Sequence, residues 1–230
     1  MENIMAGGGF GRARKKTRDR EVENSVDNLD DNQNEDNSDS DQLSQTDVDL
    51  KLEKGNLNFE ECALNQIEFK GVELIGANFC NCSMNEVLFE DTDLSNANFS
   101  ESSMTKVIFR DVELQKASFS DSDQNRVEFS DVSLKSTDFT ESSFKSCVFN
   151  DVDLKQSKFI STDCDDLKFT DCDLAKTDFS DAALKNINFS DVAFSKTSFV
   201  DADISNMSIE NSEGALVTDD GEVDCEDFSE

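Results

Sequence analysis

Residues 97–119 read Ala97-Asn98-Phe99-Ser100-Glu101-Ser102-Ser103-Met104-Thr105-Lys106-Val107-Ile108-Phe109-Arg110-Asp111-Val112-Glu113-Leu114-Gln115-Lys116-Ala117-Ser118-Phe119. A large apolar side chain stands at every fifth position: Phe99, Met104, Phe109, Leu114, Phe119. Two residues before each centre lies a small or aliphatic one: Ala97, Ser102, Val107, Val112, Ala117. Residues two apart on an extended segment share a face, so both point inward. The other three are mostly Asp, Glu, Asn, Ser and Lys and must face water. Two positions in and three out cannot continue as a flat strand, so the chain must turn a corner in every unit.

The pattern extends without insertion from Phe59 to Ile209, 31 consecutive units, and of 19 Phe only Phe10 and Phe228 lie outside it. A short fixed repeat of this length is the signature of a solenoid, whose coils stack about 4.8 Å apart and satisfy one another's backbone groups. The residue two before the centre carries a longer period, which sets the number of sides. Ala77, Ala97, Ala117, Thr137, Ser157, Thr177 and Thr197 form a small column, and Ile67, Val87, Val107, Val127, Cys147, Leu167 and Ile187 a bulky one. Each recurs every 20 residues, which gives four units per turn. The coil is therefore square, with Phe centring two opposite sides and mostly Leu the others. About eight coils, roughly 37 Å in all, result.

Ala77-Asn78-Phe79, Ala97-Asn98-Phe99, Thr137-Asp138-Phe139, Thr177-Asp178-Phe179 and Ala202-Asp203 before Ile204 carry the motif in which Ala and Asp or Asn precede the centre. In this the chain resembles the pentapeptide-repeat family. The resemblance implies an all-β fold, a right-handed quadrilateral parallel β-helix over residues 57–211 with disordered termini. Gln124 and Cys164 depart from the large apolar centre, both on the side that holds Leu64, Met84, Met104 and Phe144. Local distortion is expected on that side.

The chain has 230 residues and 52 Asp+Glu against 21 Lys+Arg, a formal charge of -31, with no His, Pro, Trp or Tyr. Without His it lacks the commonest general base and the commonest metal ligand, which argues against an enzyme. No cofactor or resident metal is expected. Aspartate columns attract divalent cations, but the Gly-rich calcium nonapeptide is missing, so only weak nonspecific calcium binding is expected. No run of about 18 apolar residues suggests a membrane span, and no signal peptide is evident, so a cytoplasmic location is the default. Of seven Cys, Cys62, Cys82, Cys147 and Cys172 take the inward position two before a centre. They are expected as small buried hydrophobes in a reducing compartment.

Residues 1–48 read as a disordered arm, basic at Arg12, Arg14, Lys15, Lys16, Arg18 and Arg20 and acidic thereafter. Val48, Leu50 and Leu52 alternate with charged residues, which suggests a lead-in strand or cap over 49–56. Residues 212–230, with eight acidic groups and no basic one, read as a disordered acidic tail. The array itself carries a net -17, so most of the charge belongs to ordered surface.

The sharpest surface feature lies two residues after each tens-register centre, where twelve of the fifteen sites from 61 to 201 are acidic. On one side Asp91, Asp111, Asp131, Asp151, Asp171 and Asp191 form an unbroken ladder; opposite lie Glu61, Glu101, Asp121, Glu141, Asp181 and Asp201. Like charges stacked at one coil spacing repel. Either corner Asp side chains bond nearby backbone N–H groups, with Lys145, Lys155, Lys176, Lys185 and Lys196 softening the field, or the ladders imitate a phosphate backbone. Duplex DNA as long as the array would carry roughly 22 charges. The resemblance adds that quinolone-resistance and related immunity proteins of the family look like DNA and bind type II topoisomerases. Two functions remain open at this point. One is a non-enzymatic acidic DNA mimic that binds a topoisomerase or other DNA-handling enzyme. The other is an interaction scaffold that recruits its partner through the N-terminal arm. The basic run itself suits a nucleic-acid arm, an import signal or a solvated terminus.

Overall fold

The computed structural model describes residues 42–225; the basic run from Arg12 to Arg20, the acidic stretch up to residue 41 and residues 226–230 lie outside it. Successive coils pair in parallel at a constant offset of one turn: Phe69 faces Phe89, Phe89 faces Phe109, and the series continues through Phe129, Phe149 and Phe169 to Phe189. Leu64, Met84, Met104, Gln124, Phe144, Cys164, Leu184 and Ile204 form a second in-register column. Bridges from Asn58 to Asn78 to Asn98 and from Glu73 to Asp93 mark the remaining two sides. The four sides take their names from their first centres: Phe59, Leu64, Phe69 and Leu74. The fold is an all-β parallel solenoid of about nine turns.

The two Phe columns build the core. Along each column rings stack at centroid separations such as 4.8 Å for Phe79 and Phe99 and 4.9 Å for Phe89 and Phe109. Between columns they meet edge to face, as Phe99 and Phe109 do at 5.9 Å. Both arrangements place a ring's positive edge or offset face against a neighbour's negative face. The inward hydroxyls of the small column are satisfied without leaving the interior: Thr137, Thr177 and Thr197 donate to the carbonyls of Leu114, Leu154 and Leu174 on the preceding coil.

Each corner residue, two past a centre, has a left-handed backbone, in an unbroken series from Glu61 (φ 59°) to Asn211 (φ 51°) that includes Gly71 and Gly76. Left-handed backbone costs an L-residue about 1–2 kcal/mol, less for Asn and Asp. Stacking enforces it here, because corner N–H groups donate to the next coil, as Glu61 does to Cys80 and Gln66 to Asn85. The corner in every unit, required by the sequence pattern, is thus a single left-handed residue.

The Leu64 side is not distorted where it was expected to be. Gln124 and Cys164 keep the same three-residue parallel register as their neighbours, since strand pairing uses the backbone and is indifferent to what fills the core. The disturbance appears in the rings. Phe144 inserts 5.4 Å from Phe139 and 5.5 Å from Phe159, and that one column tilts by 24–26° where its earlier stacks lie within 7°.

Both ends differ from expectation. Residues 49–56, expected as a lead-in strand or cap, form no strand, and residues 49–53 instead continue a helix that covers the first coil. The helix spans Gln45–Glu53, preceded by the short strand Gln42–Leu43, so residues 42–48, assigned above to the disordered arm, are ordered. Ser44 and Asp47 close a capping box at its start. Val48 and Leu52, one turn apart, face the first coil and Leu50 faces water, a pairing that helical and strand periods both allow. Gln45 caps the exposed strand edge, accepting from Glu68 N–H at 2.8 Å and donating to Glu68 carbonyl at 3.0 Å. At the other end Ala215–Thr218 pairs in parallel with Thr197–Ser198 and antiparallel with Gly221–Asp224. This part of the expected disordered tail is therefore a hairpin, which buries Leu216 and Cys225. It forms because the last coil offers Leu216 a hydrophobic seat and its strand a free edge. Cys82, Cys147 and Cys172 are buried and Cys62 is half-buried. Burial pushes the Cys82 and Cys172 thiols up to about 12 and Cys147 to about 11.

Candidate partner-binding surface

Because the offset between coils is constant, corner residues fall into four straight columns, and two of these hold the predicted ladders. The corner between the Phe69 and Leu74 sides carries Asp91, Asp111, Asp131, Asp151, Asp171 and Asp191; the diagonally opposite corner carries Glu61, Glu101, Asp121, Glu141, Asp181 and Asp201. Every one of these side chains is exposed. Adjacent rungs are one coil, about 4.8 Å, apart at the backbone.

The corner acids do not make Asx turns. That bond is made by the residue just before a centre, whose carboxamide or carboxylate accepts from the N–H two residues on. Asn78, Asn98, Asp138 and Asp178 do so toward Cys80, Ser100, Thr140 and Ser180 at 3.0–3.1 Å. No cation pairs directly with the ladders either, although the charge of Arg110 acts on Asp131 from a distance. Among the described residues Lys155 pairs with Asp173 at 2.5 Å and Lys185 with Asp165 at 3.4 Å, while no ladder acid takes part in an ion pair. The cations thus pair with acids on the flat sides and with Glu86 at another corner, and leave both ladders without an ion pair. Consistent with this, Asp131 is held above the ordinary carboxylate value, by desolvation first and then by the charges of Asp151 and Asp111.

A third corner has the opposite sign. Where the Leu74 side meets the next Phe59-type side stand Asn96, Lys116, Ser136, Gln156, Lys176 and Lys196, and the column beside it holds Ser95, Gln115, Lys135, Lys155, Ala175 and Ser195. No acidic residue occurs in either column. A shallow cavity of about 430 Å³ runs along it, lined by Lys116, Lys135, Lys155, Lys176, Gln115 and Gln156. Sequence reasoning treated Lys155, Lys176 and Lys196 as counter-charges to the ladders and did not single out Lys116 or Lys135. Sorting them by the same twenty-residue register would have found the column.

Among the described residues no group of His, Cys, Asp and Glu is arranged to hold a metal ion, the Asp ladder included. No helix among them is long and apolar enough to cross a membrane. The basic arm, the other candidate element, lies outside the described residues.

A square parallel coil with five residues per side and left-handed corners defines a class, the quadrilateral β-solenoids. A family model described as "Pentapeptide repeat region" matches residues 55–119, 122–199 and 142–215, and the chain belongs to the pentapeptide-repeat family. Among solved structures, a trypsin-treated variant of QnrB1, a plasmid-mediated fluoroquinolone resistance protein, is similar at 16% identity, with a TM-score of 0.44, covering 68% of this chain and 78% of that one. HetL, involved in heterocyst differentiation regulation in the cyanobacterium Nostoc sp., is similar at 13% identity, with a TM-score of 0.35, covering 78% of this chain and 98% of that one. Rfr23 from the cyanobacterium Cyanothece is similar at 10% identity, with a TM-score of 0.25, covering 72% of this chain and 99% of that one. No curated protein matches the sequence.

Proposed function

We propose that this is a non-enzymatic, cytoplasmic binding protein whose acidic corners imitate a DNA backbone to engage a DNA-handling enzyme, a type II topoisomerase in the first instance. The observation that carries the proposal is the makeup of the Glu61 corner. Asp has a conformational reason to occupy a left-handed corner, but Glu has none, and Glu61, Glu101 and Glu141 stand there with Asp121, Asp181 and Asp201, interrupted by Asn81 and Ser161. What the six share is charge. Their lack of ion pairs supports the same reading, since stacking unpaired like charges works against stability.

The test is a topoisomerase supercoiling assay with the full chain at two salt concentrations. Inhibition or drug protection that weakens with salt, and is lost when Glu101, Asp121, Glu141, Asp181 and Asp201 are changed to the amides, is the expected result. No effect at either salt overturns the topoisomerase assignment. In that case a partner retrieved by residues 1–56 alone would point to the scaffold function.

A further inference from the structure

The Leu74 side differs from the other three in how its charge is divided. Its edge toward the Phe69 side carries the Asp ladder, and just inside that edge stand Glu73, Asp93, Glu113, Asp153 and Asp173. Its other edge carries Lys116, Lys176 and Lys196, with Lys135 and Lys155 just inside. The acidic half contains no base and the basic half no acid; Lys135 and Lys155 already bridge across the side to Asp153 and Asp173, so the unpaired charges are those of the two corners. Within one chain the Asp ladder and the corner lysines are up to about 16 Å apart, the length of five extended residues, too far to neutralise each other. Among the described residues Lys116, Lys176 and Lys196 make no ion pair. They also occupy left-handed corners, at φ 59°, 61° and 57°, where lysine has no conformational advantage.

We propose that the Leu74 side is a self-association surface, on which a second copy of this chain lies side by side with its solenoid axis parallel, each copy's lysine column against the other's Asp ladder. The symmetry follows from the charge division. A two-fold axis parallel to the solenoid exchanges the left and right edges of the facing side, so acidic column meets basic column at the same height. Asp111, Asp171 and Asp191 then face Lys116, Lys176 and Lys196 of the other copy. Asp91, Asp131 and Asp151 face Asn96, Ser136 and Gln156, which can donate hydrogen bonds. No acid meets an acid. A two-fold axis across the solenoid would instead set ladder against ladder, which like-charge repulsion excludes.

The side is at most about 16 Å wide and roughly 37 Å long, so two copies would bury at most about 1,200 Å², the lower bound for a specific interface. The dimer is accordingly weak and reversible. At physiological salt, screening over about 8 Å confines the interaction to the facing columns and hides the net charge of the far sides. This surface extends beyond the proposed partner function and leaves the Glu61 corner, diagonally opposite, free for it.

The experiment is sedimentation velocity on the full chain at micromolar to millimolar concentration, with two charge-swapped variants. One carries Lys116→Glu, Lys176→Glu and Lys196→Glu; the other carries Asp111→Lys, Asp171→Lys and Asp191→Lys. The unaltered chain is expected to dimerise reversibly, each variant alone to remain monomeric, and the mixed variants to recover a heterodimer, because glutamate columns then face lysine ladders and vice versa. Circular dichroism of each variant establishes that it remains folded. An unaltered chain that stays monomeric throughout overturns the proposal, as do variants that dimerise alone or a mixture that does not associate. The topoisomerase assay with Glu61-corner variants reads the other surface, so either proposal can fail alone.

Discussion

Gln124 pairs in parallel register with Phe144 on the next coil, and its carboxamide is buried as deeply as that ring, each being 2% exposed. Its Nε2 donates to Ser122 Oγ at 2.7 Å, while its Oε1 finds no partner. A buried acceptor left unsatisfied costs about 1–3 kcal/mol. Gln124→Leu should therefore stabilise the solenoid by about 1 kcal/mol, read as a rise in the denaturation midpoint with an unchanged slope. A lowered midpoint would show that the carboxamide contributes packing that leucine cannot replace.

Phe119 stacks on Phe99 at 4.7 Å and on Phe139 at 5.0 Å, and meets Phe109 and Phe129 edge to face. Phe119→Ala removes all four contacts and leaves a cavity, at a cost of about 3–5 kcal/mol. Because each coil of a solenoid touches only its neighbours, the loss should be local. Hydrogen exchange should quicken in the coils around residues 99–139 more than at the ends. Uniform quickening along the array would refute nearest-neighbour coupling.

Asp131 and Asp138 should respond to pH in opposite directions. The folded-state carboxyl of Asp131 is raised, so the native chain binds more protons than the unfolded one just above the ordinary value of 3.8. Ionised Asp131 thus works against folding at neutral pH, and that penalty is relieved as pH falls through its folded value. Burial opposes ionisation of Asp138, but bonds from Thr140 and Lys158 outweigh it and lower its value. Its contribution is present above 3.8 and lost as pH falls below. Asp131→Asn should raise the melting temperature at pH 7 and Asp138→Asn should lower it, both differences shrinking below pH 3. Two shifts of the same sign would contradict the ladder electrostatics.

Gly214, at φ 105°, lies against the last regular coil, and a β-carbon there would overlap the carbonyl oxygen of Phe194. Phe194 N–H donates to Glu213 carbonyl at 2.8 Å, and Gly214 carbonyl accepts from Cys225 N–H at 2.9 Å, so the backbone cannot move aside without losing the hairpin. Gly214→Ala should release the Ala215–Asp224 hairpin and expose Cys225, buried in the intact chain. Titration with a thiol reagent should find Cys225 reactive in the variant and protected in the parent. Continued protection would mean that the hairpin tolerates the clash.

The array was legible because its two signals are redundant. A centre such as Phe99 and its inward neighbour Ala97 repeat so often that Gln124 and Cys164 cannot blur the period, and the size of the inward neighbour fixed four sides. The ends were not legible for a physical reason. Val48, Leu50 and Leu52 satisfy a strand period, and Val48 with Leu52 also a helical one; only the Ser44–Asp47 capping box decides between them. The hairpin at Ala215–Thr218 depends on the edge offered by Thr197–Ser198, a tertiary condition that three apolar residues cannot announce. At the surface the acidic columns stood out, while the lysine column emerged only once residues were assigned to corners.

The constant offset between coils makes this chain unusually strict about changes in its length. A single inserted residue would turn every later centre out of the core. An inserted pentapeptide would keep the core but rotate everything downstream by one side, so that the Asp ladder would break and resume at another corner. Only a whole turn of twenty residues can be gained or lost while each surface column stays continuous. The unit of tandem duplication that preserves this protein's surface is therefore four repeats, and each such event would lengthen both acidic edges and the lysine edge by one rung.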